Sequence, residues 1–207
     1  MLKNANNLNS QNTIIDLLRH GEPEGGRMYR GSGTDHPLSD LGWQQMKESI
    51  RKVRDAHSAD WSYIVTSPMT RCHSFAKELS QQMDLPLEVI DTLVEAGYGE
   101  WEGKTPAQLK QTDNKAYWDF YADPVNNRPK DAESLEDLTS RVSSTFIDLM
   151  HRYKGKKVLL ISHAGVMRAV IGSTLKTPLA SQQQINIPYA GMYRILNERR
   201  GTRVCFL

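Results

Sequence analysis

The amino-acid sequence predicts a three-layer α/β/α sandwich, with a mainly parallel central sheet and helices on both faces. Three observations lead there. Short apolar runs rich in β-branched residues alternate along the chain with segments of helical periodicity, the pattern of strands joined by crossover helices. The last two strand-like runs are separated only by Glu198-Arg199-Arg200-Gly201, which reads as an antiparallel hairpin. The length, 207 residues, suits one well-filled core and is short for two.

Thr13–Leu18 is the first buried strand, and polar, Gly-rich chain follows from Gly21 to Asp40. Trp43, Met46, Ile50 and Val53 then recur at helical spacing, with Ser39 or Asp40 as the N-cap. Tyr63–Thr66 is a second strand, ended by Ser67-Pro68, and Phe75, Leu79 and Met83 mark the helix after it. Leu87–Ile90 is a third strand. Glu95–Pro129 reads as irregular, with room for short helices. From Leu135 helical spacing resumes through Leu138, Val142, Phe146 and Leu149; Ser134 is placed to cap it, and Glu136 and Asp137 suit the helix dipole. Val158–Ser162 is a strand, Val166–Leu175 a helix, and Tyr193–Leu196 with Arg203–Phe206 the closing hairpin. The Asn-rich start reads as a loose tail over residues 1–12, leaving a single domain over residues 13–207.

Composition narrows the classes. With 39% hydrophobic and 24% charged residues, the chain is not expected to be disordered as a whole. A formal net charge of +2 is too mild to indicate nucleic acid. The basic runs Lys154–Lys157 and Arg199–Arg203 flank strands and read as solvated strand ends. No apolar stretch approaches the ~20 residues that span a bilayer, and the first residues lack the apolar segment of a signal peptide. A cytoplasmic protein with neither membrane nor nucleic-acid partner is the expectation, as monomer or homodimer. Cys72 and Cys205 are expected as free, buried thiols.

In parallel sheets ligands gather at the carboxyl ends of the strands. There the sequence places Arg19-His20-Gly21 after the first strand, Ser67 and Arg71 after the second, Glu95 after the third and His163 after the Val158 strand. Two guanidiniums in one cleft call for an anion with several oxygens. A neutral imidazole can attack phosphorus, a second, if protonated, can add positive charge, and a carboxyl group can protonate a departing alkoxide. Phosphoryl transfer is mostly positioning and charge stabilisation, so this set suffices without a metal. The competing arrangement, a metal held by His20, His163 and Glu95, would put two arginines beside a divalent cation. His36, His57, His73 and His151 need no more than surface or core roles.

These residues carry a resemblance. Arg19-His20-Gly21-Glu22 resembles the Arg-His-Gly signature of the histidine phosphatases, the superfamily that includes the cofactor-dependent phosphoglycerate mutases. Asp35–Gly42, Ser67–Arg71, Leu93–Gly103, Glu133-Ser134 and Ser162–Gly165 resemble later segments of the same family, in the same order. The resemblance implies a phosphoglycerate mutase-like fold and, without a cofactor, a phosphohistidine at His20. It implies that Arg19, Arg71 and His163 hold the phosphoryl oxygens. Glu95 would serve as acid and then base, and Gly21 and Ala164 would bring backbone close to the phosphate, Gly21 because a side chain would crowd the site.

There are departures from the pattern. Pro23 follows Glu22 where the family has Thr, and no Asn lies between Glu22 and Gly31, so Arg27 or Arg30 is a candidate replacement contact, beside Tyr29 in the same loop. Phe75 and Ala132 stand where the family has Thr and Gly. The chain has little room for the covering segment of a mutase, which favours hydrolysis of a small phosphomonoester. The loop from Gly21 to Gly31 is similar to that of bacterial alpha-ribazole-5'-phosphate phosphatases. Tyr29, Tyr98, Trp101, Tyr117 and Trp118 are candidates to stack on a ring, at least half of them expected to be packing instead.

Overall fold

A computed structural model describes residues 12–57 and 60–207, so the tail expected over residues 1–12 lies, except for Asn12, outside the described residues. The elements are β1 (Thr13–Arg19), α1 (Asp40–His57), β2 (Tyr63–Thr66), α2 (Thr70–Met83), β3 (Leu87–Val89), α3 (Pro106–Thr112), α4 (Asn114–Ala122), α5 (Leu135–Arg152), β4 (Lys157–Ser162), α6 (Ala164–Leu175), α7 (Leu179–Gln182), β5 (Met192–Glu198) and β6 (Gly201–Phe206). The six strands form one sheet in the order β3-β2-β4-β1-β5-β6. β3, β2, β4 and β1 run parallel, and the β5–β6 hairpin adds antiparallel to β1.

Strand alternation divides the core between the two faces. Ile15, Leu17, Val65, Val158 and Leu160 pack with Leu138, Val142 and Leu149 of α5 and Val166 and Val170 of α6. Leu18, Ile64, Leu159 and Ile161 pack with Met46, Ile50 and Val53 of α1 and Phe75 and Leu79 of α2. Two covered faces are why β4 reads as a nearly unbroken apolar run. The result is the α/β/α architecture. No helix among the described residues is long and apolar enough to cross a membrane.

Register sets the functional end. β1 and β4 run in step from Ile14 opposite Lys157 to Arg19 opposite Ser162. The His20 amide then donates to the Ser162 carbonyl at 3.0 Å, and the Ser67 amide to the Ile161 carbonyl at 3.1 Å. Three strands therefore end at one level.

Local chemistry fixes the helix starts. Ser39, of the two candidates, caps α1: its hydroxyl accepts from the Gly42 amide at 3.0 Å. Ser134 Oγ accepts from the Asp137 amide at 2.9 Å. α2 has no local cap, and the Asp35 carboxylate instead takes the Thr70 amide at 2.8 and 3.0 Å from across the molecule. The stretch expected to be irregular is more ordered than its sequence suggested. A capping box between Thr105 and Gln108, with Pro106 in the first turn, starts α3, and Asp113 ends α3 and caps α4.

Gly21 shows why a side chain is excluded there. A methyl group built on it would overlap the Gly42 carbonyl, and one on Gly42 would overlap the Glu22 carbonyl. The neighbour is thus the first turn of α1, not the site expected from sequence. Ala at a helical position ordinarily gains about 0.5–1 kcal/mol over Gly, whereas overpacking costs about 1–3 kcal/mol. Gly42→Ala should therefore lower stability by about 1–2 kcal/mol in urea denaturation; a stabilised variant would show that the two segments are not pressed together.

Candidate active site

Each of the four parallel strands delivers a group to one cleft. β1 ends in Arg19 and leads to His20, β4 leads to His163 at the N-cap of α6, β2 leads through Ser67 to Arg71 in the first turn of α2, and the chain after β3 carries Glu95. The rings of His20 and His163 lie 5.2 Å apart, edge to face. His20, His163, Arg71 and Glu95 are buried, and Arg19 is partly buried.

The Gly21 carbonyl lies 2.8 Å from His20 Nδ1. A carbonyl only accepts, so Nδ1 carries the proton and Nε2 is left with a lone pair. Burial, then the charges of Arg19 and Arg71, hold the His20 imidazole well below its ordinary pKa, so the ring is neutral. Burial, then Arg71 and His20, do the same to His163. The sequence allows for a protonated second imidazole; in the structure burial, and then the charge of Arg71, disfavour that form. His163 Nε2 lies 2.8 Å from Ser67 Oγ.

Backbone holds the arginines in place. Arg19 donates from Nη1 to the Ile187 carbonyl at 2.7 Å, and its guanidinium lies over the Tyr189 ring at 4.1 Å. Arg71 donates to the carbonyls of Thr34 (3.1 Å) and Gly31 (3.0 Å) and pairs with Asp35 at 3.3 Å. The Nε of each is buried without a partner among the described residues. Glu95 Oε1 accepts from the amides of Ala96 (2.9 Å) and Gly165 (3.0 Å), while Oε2 takes only the longer Gly165 branch at 3.3 Å.

The cleft holds about 500 Å³, and five arginines (19, 27, 30, 71 and 168) line it against one carboxylate, Glu95. Such a site favours a compact polyanion. Ala164 lines it at the start of α6, and Arg27, Tyr29 and Arg30 line it from the loop after β1. Arg30 Nη2 donates to the carbonyls of Glu24 (2.6 Å) and Gly26 (2.7 Å), so this guanidinium also folds its own loop. His163 and Gly21 are not among the lining residues. His163 stands behind His20, and Gly21 packs on α1. Among the described residues, His20, His163 and Glu95 do not gather with other donors into a metal-binding group.

Of the candidate ring-stacking residues, Tyr29 and Tyr98 line the cleft. Trp101 instead stacks on buried Tyr117 at 6.0 Å, and Trp118 is exposed outside it. Phe120 and Tyr121 of α4 complete the aromatic wall, and the hydroxyls of Tyr29 and Tyr121 are 2.6 Å apart. Sequence reasoning missed Phe120, Tyr121, Arg168 and Tyr189. Arg168 was within reach, four residues after Ala164 on the same helical face. Tyr189 lies in non-periodic chain and left no signal.

A buried, arginine-rich cleft around a neutral histidine at the end of β1 defines a phosphoanion-handling α/β protein. Residues 15–206 match the family model described as histidine phosphatase superfamily (branch 1), and the chain belongs to that superfamily. It is similar to the uncharacterized phosphatase PhoE of Bacillus subtilis, 32% identical over 77% of this chain and 76% of that one. It is also similar to the adenosylcobalamin/alpha-ribazole phosphatase of Salmonella typhimurium, 28% identical over 80% and 81%. Among solved structures, Bacillus stearothermophilus YhfR shares the fold with a TM-score of 0.83 at 24% identity, over 94% of this chain and 96% of that one.

The lowered histidines have a consequence for stability. The unfolded chain takes up protons below about pH 6.5 while the folded site resists them, so stability falls as pH drops below that value. The slope is up to about 1.4 kcal/mol per pH unit for each histidine. Urea midpoints between pH 7.5 and 5 should show this loss, and a His20→Gln, His163→Gln double variant should flatten it. An equal slope in the variant would show that these rings do not resist protonation.

Proposed function

We propose that the protein hydrolyses phosphomonoesters through a phosphohistidine on His20 Nε2. The observation that carries this reading is the Nδ1–H bond to the Gly21 carbonyl, which leaves Nε2 unprotonated in the cleft that the guanidiniums of Arg19 and Arg71 also line. The ester dianion rests against Arg19 and Arg71, whose unpartnered Nε groups suit phosphate oxygens. The P–N bond to Nε2 forms as the P–O bond to the leaving group breaks, and the departing oxygen takes the proton of Glu95. Glu95, now a carboxylate, takes a proton from water; the hydroxide oxygen bonds to phosphorus, the P–N bond breaks, and phosphate leaves. Dianion binding also offsets the arginine charges that, with burial, keep His163 neutral, so this ring can add positive charge as the transition state forms. Ala164 offers the backbone of the α6 N-terminus to the same oxygens. The scheme needs neither a metal nor a cofactor, and it treats residues 13–207 as one catalytic domain.

For the leaving group we favour alpha-ribazole, with sugar phosphates or nucleotides as the alternative and phosphoglycerate mutation behind both. The aromatic wall of Tyr29, Tyr98, Phe120 and Tyr121 suits a planar ring, and the similar Salmonella and Escherichia coli proteins, 28% and 24% identical, are named for that activity. The partner is then a small soluble phosphomonoester, met in the cytoplasm.

Hydrolysis of p-nitrophenyl phosphate should persist with a chelator present, and His20→Ala should lower it at least about a thousand-fold. Full turnover in that variant refutes the assignment, and phosphate binding without turnover on any ester favours a binding module. Ring stacking is worth about 0.5–1.5 kcal/mol. Alpha-ribazole 5'-phosphate should therefore exceed ribose 5-phosphate in kcat/KM by up to about ten-fold; equal values would remove the aromatic preference.

A further inference from the structure

Glu95 is positioned by backbone alone: its carboxylate accepts from the amides of Ala96 and Gly165, and no side chain of the described residues donates to it. One guanidinium binds the carbonyls of three residues of the stretch that carries it, that of Glu95 included. Arg141, in α5, donates from Nη1 to the carbonyls of Thr92 (2.7 Å) and Val94 (3.0 Å) and from Nη2 to that of Glu95 (3.3 Å). Its remaining donors form a two-pronged pair with Glu133, Nε at 2.6 Å and Nη2 at 2.9 Å. All five N–H groups of the guanidinium are thereby engaged.

Glu133 closes the clamp from the other side. Its carboxylate accepts from the Gly97 amide at 3.3 Å, and its own amide donates to the Gly97 carbonyl at 3.0 Å. Arg128 ties the same two residues, donating to the carbonyls of Glu133 (2.8 Å) and Gly97 (2.9 Å). The acid sits in the middle of the fastened stretch, residues 92–97. Arg141 and Glu133 are about a fifth exposed, so solvent screens the pair only in part.

We propose that Arg141, locked by Glu133, is the positioning residue for the general acid of this site, holding the Glu95 carboxyl where a leaving oxygen can take its proton. The proposal rests on the reading of Glu95 as that acid. A lysine at 141 keeps the charge but offers a point donor instead of a planar fork. Displacement of a catalytic group by about 1 Å is worth around a hundred-fold in rate.

Leaving-group dependence separates positioning from mere support. p-Nitrophenolate departs without a proton, whereas an alkoxide needs one, and kcat/KM reports steps through that departure. The two substrates are p-nitrophenyl phosphate and glycerol 3-phosphate. Glu95→Gln should lower kcat/KM on the alkyl ester about a hundred-fold further than on the aryl ester. Arg141→Lys, and Glu133→Gln if the lysine variant does not fold, should widen the same ratio about ten-fold. If Glu95→Gln discriminates but the clamp variants lower both esters by one common factor, the clamp is only structural and the proposal is wrong. If Glu95→Gln lowers both equally, the acid reading fails and the proposal falls with it.

Discussion

Arg19 and Arg71 meet two buried imidazoles at one end of the sheet, in a cleft that a single carboxylate, Glu95, lines, and this excess of positive charge governs the site. Buried cations are normally paired. Here the compensation is mostly neutral: the carbonyls of Ile187, Thr34 and Gly31 take the arginine N–H groups, and Asp35 is the one acidic partner. Burial first, and then the same positive charge, keep both imidazoles deprotonated, which a nucleophilic histidine requires.

Much of this was legible in the sequence. β4 is buried throughout save its first residue, so it appears as an unbroken apolar run, and the strand-end rule then nominates His163. His20, Arg71 and Glu95 follow by the same rule, and the structure brings them to one cleft. Helices with long amphipathic faces, α1 and α5, were equally plain. What escaped depends on partners distant in sequence. α3 and α4 are short and bury only a few residues, so their periodicity is weak. The crowding at Gly21 comes from Gly42, which no local pattern reports. Trp101 and Tyr117 stack on each other, whereas Phe120 and Tyr121 turn to the cleft; composition cannot tell these apart.

The outer parts of the site differ in kind from its base. Strand ends held by parallel ladders set the phosphate end. Loops and the short helix α4 build the walls, with Arg30 folding the loop after β1 and Arg141 fastening the stretch after β3. On the proposed reading, substrate preference would lie in segments whose geometry rests on a few arginine–carbonyl bonds, and the chemistry at the strand ends. Members of one superfamily can thus share a reaction and differ in what they act on.

Rapid acid-free quenching during turnover, followed by phosphorus NMR and peptide mapping, tests the central claim most directly. A phosphoramidate on Nε2 of His20, stable to alkali and lost in acid, is the result this account predicts. Turnover with no phosphorylated residue, or with the phosphoryl group on another side chain, would contradict it.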